Sequence, residues 1–343
     1  MSLPTTTHTL SLSHVTGLCV GDPEEEKANL ALIFDRYKGL IAGLPKQKGW
    51  LTESLYMYQG HWFSPTKLIS IGTVMVSQEL FQANPTDIYL VTQPKSGTTW
   101  IKALAFAILN RTRHTNVPTH PLLMFNPHDC VPYIENEVLR TKPTYSDATS
   151  TRLFATHMPY TSLPQSIHDS SCRIVYMCRN PKDVLVSLIH FVNKVRDKSL
   201  DRITLEEGFE MFCKGVSPCG PYWDHVKGYY KASLKHPTRI LFLTYENMKR
   251  DTRSNVKRLA DFLGCPFTEE EEAKGVVEEI VSLCSFKRLS DRNKHGTIRE
   301  GLPNEVFFRE GKVGDWSNHL TKEMGQILDE ITTQKFRGLD ITF

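Results

Sequence analysis

The sequence predicts an α/β fold: a single domain with a central parallel sheet flanked by helices and a P-loop-like nucleotide-binding core. Four short apolar runs rich in β-branched and aromatic residues each lead into a polar segment, and stretches of helical periodicity separate them. Near-continuous apolar runs of this kind are typical of parallel strands that are buried on both faces. The chain of 343 residues contains no linker-like stretch, so we expect one domain over residues 26–343.

The N-terminal part is predicted to contain a tail followed by two helices. Residues 1–25 begin with a Ser/Thr-rich stretch that lacks Lys and Arg, which favours a disordered tail over a transit peptide. Apolar residues at helical spacing predict helices over Glu24–Ala42 and Leu68–Phe81. Between them, residues 50–63 are dense in aromatic side chains, and we assign no element there.

A strand, a turn and a helix follow directly. The run Ile88–Val91 predicts the first core strand, and the apolar spacing of Trp100–Asn110 predicts a helix. We call the segment between them, Pro94–Trp100, the anion loop, because amides and hydroxyls at a helix N-terminus suit a phosphate. It differs from a Walker A box in the position of its lysine. The residues predicted to contact the anion are Lys95, Ser96, Gly97, Thr98 and Thr99.

The segment 110–151 has little periodicity and is predicted to be a long, partly ordered excursion. Three further strands are predicted after it, and a polar residue follows each one. These pairs are Leu153–Thr156 with His157, Ile174–Cys178 with Arg179, and Ile240–Thr244 with Tyr245. Ligands of parallel sheets bind at the carboxyl ends of the strands, so these residues and Lys95 are expected to converge on one edge.

Two of these residues have a defined chemical use. Arg179 leaves a strand and precedes Asn180-Pro181, a pattern typical of a helix N-terminus, and its planar group of donors suits a phosphate. The imidazole of His157 has an ordinary pKa of about 6.5, so its neutral form can take a proton from a hydroxyl group. We therefore predict His157 as a general base and Lys95 as the cation that faces the phosphate.

Composition excludes several classes of partner. A net charge of +3 does not indicate nucleic-acid binding, and no apolar run approaches the length of a membrane span. Eight cysteines without a C-x-x-C pair are typical of reduced thiols, and we expect a cytoplasmic protein. The histidines at positions 114, 120 and 128 lack zinc-type spacing, so no metal is expected.

The anion loop resembles the nucleotide loop of the cytosolic sulfotransferases, which use 3'-phosphoadenosine-5'-phosphosulfate (PAPS) as sulfuryl donor. The resemblance extends from about Pro45 to the C-terminus, and residues 126–129 and 270–286 are similar to the plant, flavonol-sulfotransferase-like branch. The further motifs that carry it are Arg179 with Ser187, Tyr245-Glu246, Cys284-Ser285-Phe286 and Arg309–Trp316. The resemblance implies transfer of the sulfuryl group to a hydroxyl group of a small metabolite, with adenosine 3',5'-bisphosphate (PAP) as the product nucleotide.

The resemblance also implies roles for individual residues. In a sulfuryl transfer His157 would be the general base and Lys95 the cation that stabilises the leaving phosphate. Those implied in holding the 3'-phosphate are Arg179, Ser187, Arg309 and Gly311. Those implied around the adenine are Trp100, Tyr245 and Phe286. Those implied in the acceptor pocket are Tyr133, Phe191 and Tyr222, which suggests a hydrophobic hydroxyl compound.

The sequence departs from the family pattern at several places, among them Cys284, where animal members have a threonine near the adenine. Glu310 replaces a lysine beside the expected 3'-phosphate and should weaken donor binding unless it points away or pairs with Lys312. Ala155 replaces a lysine that assists the reaction in many animal members. Residues 317–326 depart from the animal dimer motif, so we expect a monomer or a weak dimer.

Two alternatives to an active sulfotransferase are open at this point. A P-loop kinase should have a strand that ends in Asp for Mg²⁺, and none of the four predicted strands does. In a non-catalytic nucleotide-binding homologue, Glu310 and Ala155 would mark the loss of function.

Overall fold

A computed structural model describes residues 22–66, 69–114, 119–140, 151–293, 295–298 and 301–343. The strands are β1 Lys46–Lys48, β2 Ser54–Tyr58, β3 His61–Phe63, β4 Ile88–Thr92, β5 Leu153–Thr156, β6 Arg173–Cys178 and β7 Ile240–Thr244. The helices are α1 Pro23–Ala42, α2 Ile71–Leu80, α3 Thr98–Asn110, α4 Pro127–Cys130, α5 Ile134–Glu137, α6 Gln165–Asp169, α7 Pro181–Val195, α8 Leu205–Cys213, α9 Tyr222–Lys235, α10 Tyr245–Arg250, α11 Thr252–Leu263, α12 Glu269–Ala273, α13 Val276–Leu283, α14 Phe286–Arg292 and α15 Lys322–Lys335. Short 3₁₀ turns lie at Pro121–Leu123, Tyr160–Ser162, Asn304–Phe307 and Asp315–Asn318.

The predicted parallel sheet is present, with strand order β5-β4-β6-β7. All neighbouring strands in it run parallel, so their carboxyl ends share one edge. The four predicted strands are confirmed to within a residue at each end. The single α/β domain with a central parallel sheet flanked by helices is therefore confirmed.

Helices cover both faces of this sheet. Along β4, Tyr89 and Val91 pack into one buried cluster with residues of α7 and α9, whereas Ile88 and Leu90 pack into a second cluster with residues of α3 and α11. This alternation follows from the two-residue period of a strand, in which successive side chains point to opposite faces. Two apolar faces explain why the strand sequences read as continuous apolar runs.

A second, three-stranded antiparallel sheet of order β1-β2-β3 was not predicted. Strands β2 and β3 form a hairpin through Gln59 and Gly60, which both have positive φ angles of 50° and 82°. That conformation matches the tight turns preferred in two-residue hairpins. The aromatic side chains of this region therefore belong to a small sheet that packs on the main core.

The helix predictions hold with shifted ends. Helix α1 begins at Pro23 behind an Asp22 cap, and α2 spans Ile71–Leu80 behind a Ser70 cap. The predicted N-terminal tail lies outside the described residues up to position 21. The described parts of the segment 110–151 contain a 3₁₀ turn and the short helices α4 and α5. Among the described residues, no helix combines the length and the apolarity that a membrane span requires.

Candidate active site

An open cavity of about 240 Å³ lies at the carboxyl edge of the parallel sheet. The residues that follow the four strands meet there, as the sequence predicted, because Lys95, His157, Arg179 and Tyr245 all line it. Of all the site residues predicted from the sequence, only Ser96 and Tyr222 do not line the cavity. The other predicted residues at its wall are Gly97, Thr98, Thr99, Trp100, Tyr133, Ser187, Phe191, Phe286, Arg309 and Gly311.

The anion loop connects β4 to α3 in a conformation that depends on Gly97. This glycine has a φ angle of 103°, and a Cβ atom there would lie 2.6 Å from Met177 Cε and 2.9 Å from Tyr245 Cδ2. Helix α3 begins without any side-chain cap. The amides of Trp100 and Ile101 donate to the Gly97 carbonyl, whereas those of Thr98 and Thr99 have no backbone acceptor among the described residues, so the loop leaves two donors at a helix N-terminus that faces the cavity.

Two hydroxyl side chains of the loop, those of Thr98 and Ser96, have different surroundings. The Thr98 hydroxyl lies 2.7 Å from the Thr92 hydroxyl at the end of β4. Ser96 is fully buried, its amide donates to the Gln93 carbonyl, and its hydroxyl oxygen has no hydrogen-bond partner among the described residues. The Ser96 side chain therefore lies below the loop and outside the cavity wall.

Lys95 lies among other cations. Its Nζ atom is 4.2 Å from the centroid of the Phe191 ring. Desolvation of the ammonium group and, to a smaller extent, the nearby charges of Arg179, Arg309 and Lys194 together lower the pKa of Lys95 to about 7. Such a group gains its charge most readily when an anion enters the cavity.

His157 has a defined tautomer. Its Nδ1 atom lies 2.7 Å from the Thr92 carbonyl oxygen, which can only accept a hydrogen bond. Nδ1 therefore carries the proton, and Nε2, which carries the lone pair, lies 3.3 Å from the Tyr133 hydroxyl oxygen. Burial lowers the pKa of His157 to about 3, and the charges of Lys102 and Lys95 act in the same direction. The imidazole is neutral at physiological pH and has the form that a general base requires.

Arg179 lies at the turn between β6 and α7, whose N-terminus is capped by Asn180 with Pro181 as its first residue, as predicted. Its Nη2 atom donates to the Lys312 carbonyl at 2.5 Å and lies 3.3 Å from Asp183. Its Nε atom is buried and has no partner among the described residues. This donor is available to a ligand anion.

Aromatic rings and the segment 309–316, here called the C-terminal loop, close the far end of the cavity. The rings of Trp100 and Tyr245 meet edge to face at 5.4 Å, and the Tyr245 hydroxyl donates to the Gly311 carbonyl at 2.9 Å. Gly311 has a φ angle of 63°, and a Cβ atom there would lie 2.4 Å from the Phe286 ring. A glycine is therefore required where this loop approaches the ring.

The sequence predicts that Glu310 weakens donor binding unless it points away or pairs with Lys312, and the structure shows this pair. Its carboxylate lies 3.1 Å from the Lys312 ammonium group, and both side chains are exposed to solvent. Arg309 donates to the Asp315 carboxylate at 2.5 Å. The acid at position 310 is therefore paired and screened by water.

The acceptor side differs from the prediction at one residue. Tyr133 and Phe191 line the cavity, but Tyr222 is fully buried on α9 and its hydroxyl donates to the Arg179 carbonyl. Tyr222 thus stabilises the turn that carries Arg179, because its helix packs below that turn. The wall residues that the sequence did not predict include His128, Phe307 and Phe308.

The Sulfotransferase domain family matches residues 85–340. Cytosolic sulfotransferase 12 of Arabidopsis thaliana is 43% identical over 311 residues, covering 89% of this chain and 93% of the relative. Flavonol 3-sulfotransferase of Flaveria bidentis is 44% identical over 288 residues, covering 82% of this chain and 91% of the relative.

Solved structures agree with these relatives. The crystal structure of an Arabidopsis thaliana sulphotransferase matches with a TM-score of 0.70 and 40% identity, over 89% of this chain and 94% of that one. A mouse sulfotransferase complexed with PAP matches with a TM-score of 0.63 and 27% identity, over 83% of this chain and 95% of that one. The chain therefore belongs to the sulfotransferase family and is a PAPS-dependent sulfotransferase.

Proposed function

We propose that the enzyme transfers the sulfuryl group of PAPS to a hydroxyl group of a small aromatic metabolite, with His157 as general base and Lys95 as the stabilising cation. The observation that carries this proposal is the shared cavity. The unprotonated Nε2 of His157, the Lys95 ammonium group and the N-terminus of α3 all border it. A base and an anion site in one cavity suit transfer between a hydroxyl group and a phosphate-linked donor.

Three observations support the fit of the cavity residues to the donor PAPS. Helix α3 has no side-chain cap, so an anion can accept from its first-turn amides. The buried Nε of Arg179 lacks a partner among the described residues, and a phosphate oxygen would satisfy it. The backbone at Gly97 and Gly311 approaches neighbouring side chains too closely for a Cβ atom. We assign the 5'-phosphate to the anion loop and the 3'-phosphate to Arg179, Ser187 and Arg309.

The reaction needs one proton acceptor and one charge stabiliser. PAPS supplies an activated sulfuryl group on its 5'-phosphate. His157 Nε2 accepts the proton of the acceptor hydroxyl as that oxygen bonds to sulfur, and the bond between sulfur and the phosphate oxygen breaks. Lys95 and the amides of Thr98 and Thr99 stabilise the negative charge that develops on this oxygen.

The acceptor side favours a flat aromatic hydroxyl compound. Rings dominate this part of the wall, and the His128 ring lies 4.3 Å from that of Phe307 and 6.0 Å from that of Tyr133. Aromatic walls of this kind bind ring systems by stacking and by burial of apolar surface. The wall residues are His128, Tyr133, Phe191, Phe307 and Phe308.

The remaining assignments extend this proposal. Because relatives are named cytosolic sulfotransferases, we assign the protein to the cytosol. Its partner is a small hydroxylated acceptor; nucleic acid, membrane and metal have no role in the proposed reaction. The prediction of a monomer or weak dimer stays a prediction.

Calorimetry with PAP, beside ATP with Mg²⁺, tests the donor site. Selective binding of PAP is expected, because the cavity offers donors for two separate phosphates. A preference for ATP would favour the kinase alternative instead. A panel of phenolic, steroidal and aliphatic hydroxyl compounds with PAPS, read by mass spectrometry, then tests turnover. PAP binding without any sulfated product from the panel would favour the non-catalytic alternative.

A further inference from the structure

A buried lysine lies behind the cavity wall, in contact with His128 and Tyr133. Lys102 stands one helical turn after Thr99 on α3, and its side chain is fully buried. Its Nζ atom donates to the Val131 carbonyl at 2.9 Å and lies 3.3 Å from His128 Nδ1. The same atom is 3.5 Å from the centroid of the Tyr133 ring. A carbonyl and a ring face are both suited to an ammonium ion.

This lysine determines the tautomer of His128. An ammonium group only donates hydrogen bonds, so Nδ1 of His128 must accept from Lys102. Burial lowers the pKa of His128 well below its ordinary value, and the charge of Lys102 acts in the same direction. The ring is neutral and carries its single proton on Nε2. Nε2 lies 3.0 Å from the Thr99 hydroxyl oxygen and donates to it.

The direction of this bond determines what Thr99 can do. Its oxygen accepts from His128, so its own hydroxyl proton is left for another acceptor. Thr99 lines the cavity at the first turn of α3, beside the anion loop. The proton is therefore available to a donor phosphate, and the hydroxyl is a more effective donor because it also accepts.

The same lysine affects Tyr133 on the acceptor side. The Tyr133 hydroxyl lies 3.3 Å from His128 Nδ1 and 3.3 Å from His157 Nε2, and both nitrogens carry lone pairs. Its one proton can be donated to only one of them. Because Lys102 occupies the lone pair of His128, the Tyr133 proton is directed to His157 Nε2, and the acceptor hydroxyl must replace Tyr133 at this lone pair before the base can take its proton.

We propose that Lys102 and His128 are positioning residues that orient the Thr99 hydroxyl toward the donor phosphate and the Tyr133 hydroxyl toward the base. This inference rests on the proposed function of the cavity. Neither residue exchanges a proton with a substrate; both act by fixing the direction of hydrogen bonds on the two sides of the reacting centre.

Two replacements of His128 separate its two nitrogens. In His128→Gln, the amide NH₂ can reach the position of Nε2 and still donate to Thr99. In His128→Asn, the amide oxygen can replace Nδ1 as acceptor for Lys102, but the donor to Thr99 is lost. We expect His128→Asn to weaken PAP binding about tenfold and His128→Gln to leave it within about threefold, as measured by calorimetry.

A double-mutant cycle tests whether His128 acts through Thr99. Thr99→Val removes the hydroxyl, so adding His128→Asn should weaken PAP binding by no more than a further twofold or so. Additive losses, or equal losses in His128→Asn and His128→Gln, would overturn the inference while leaving the PAP site intact. Absence of PAP binding by the unmodified enzyme would instead count against the proposed function.

A measurement on the unmodified protein covers the case in which a variant does not fold. NMR of ¹⁵N-histidine-labelled enzyme reports which ring nitrogen carries the proton. The expected result is a neutral ring with the proton on Nε2 for His128 and on Nδ1 for His157. A proton on Nδ1 of His128, or a charged ring, would contradict the proposed direction of the chain.

Discussion

The proposed general base is the imidazole ring of His157. His157→Ala should reduce kcat by a factor of roughly 10²–10⁴, the range typical of general-base catalysis. The Kd for PAP should change little, because the ring contacts Thr92 and Tyr133 and makes no contact with the anion loop beyond the charge of Lys95. Single-turnover kinetics and calorimetry measure the two quantities.

His236→Ala is a matched control, since His236 is exposed at the end of α9. It should leave both the turnover and the PAP affinity unchanged. An equal loss of turnover and PAP affinity in His157→Ala would contradict the assignment of His157 as the base.

The lowered pKa of Lys95 has a consequence for PAP binding. Its free pKa of about 7 leaves most of the amine neutral at pH 8, and a bound dianion raises this pKa by charge attraction. Binding of PAP at pH 8 should therefore take up protons, approaching one per molecule. Calorimetry in buffers of different ionisation enthalpy measures this number.

Lys95→Arg provides the comparison, because arginine stays charged at every accessible pH. This variant should bind PAP with markedly smaller proton uptake. Equal uptake in the variant and the unmodified enzyme would assign the proton to another group.

At the scale of elements, the sequence predicted what local patterns determine. The strands β4–β7, the cap of α7 and the convergence of Lys95 with His157 follow from apolar runs and from the rule for parallel sheets. A family motif located the C-terminal loop. These features depend on residues that are adjacent in sequence or on the direction of strands.

What the sequence missed depends on contacts between distant segments. The small sheet pairs three-residue and five-residue strands whose stability comes from packing on the main core. His128 contacts Thr99 of α3 only in the folded chain. The Tyr222 hydroxyl bonds the Arg179 carbonyl because of the position in which α9 packs. One local signal was available: Lys102 is a charged residue at an apolar position of α3, which indicates a buried partner.

Helix α7 and the C-terminal loop are joined through Asp183. This carboxylate is fully buried and accepts from the amides of Gly314 at 2.9 Å and Trp316 at 3.0 Å, and it lies 3.3 Å from Arg179. Asp183→Ala would leave two amides unpaired and would release Arg179. We expect PAP affinity to fall at least tenfold and trypsin to cleave faster at Arg309 and Lys312.

A neighbouring carboxylate provides the control. Asp329 lies on α15 and pairs with Lys182, but the Asp329 side chain is largely exposed. Asp329→Ala should alter neither PAP affinity nor the rate of cleavage in the C-terminal loop, since exposed ion pairs contribute little. Similar behaviour of the two variants would argue against a specific role for Asp183.

For the whole molecule, both faces of the sheet are buried and the active edge lies between the two cores. The wall of the cavity at this edge is formed by the loops after the strands, by α3 and α7, and by the C-terminal loop. Because PAP would contact all of them, it should stabilise the folded chain as a unit. Folding also buries several ionisable groups, and these groups make the stability of the folded chain depend on pH.

Acid should destabilise the protein from just below neutral pH. The pKa values of His120, His157 and His225 fall from 6.5 to about 4, 3 and 3, in each case mainly through burial. Below pH 6.5 the unfolded chain therefore binds protons that the folded chain does not, and each histidine lowers the stability by up to about 1.4 kcal/mol per pH unit until its folded pKa is reached. Burial raises the pKa of Glu135 to about 7, which opposes this trend between pH 4.5 and 7, but the histidines outnumber it. Urea unfolding at pH 7, 6 and 5 should give a decreasing free energy of unfolding.

The histidine contribution can be isolated with His225, which bonds Tyr176 and the His157 carbonyl away from the cavity wall. His225→Gln keeps the capacity for hydrogen bonding but removes the titration, so the stability of this variant should fall less steeply with decreasing pH, by the equivalent of about one proton. A slope that is the same in the variant and the unmodified enzyme would mean that His225 titrates equally in the folded and unfolded chains, and burial would then not be the cause of the acid sensitivity.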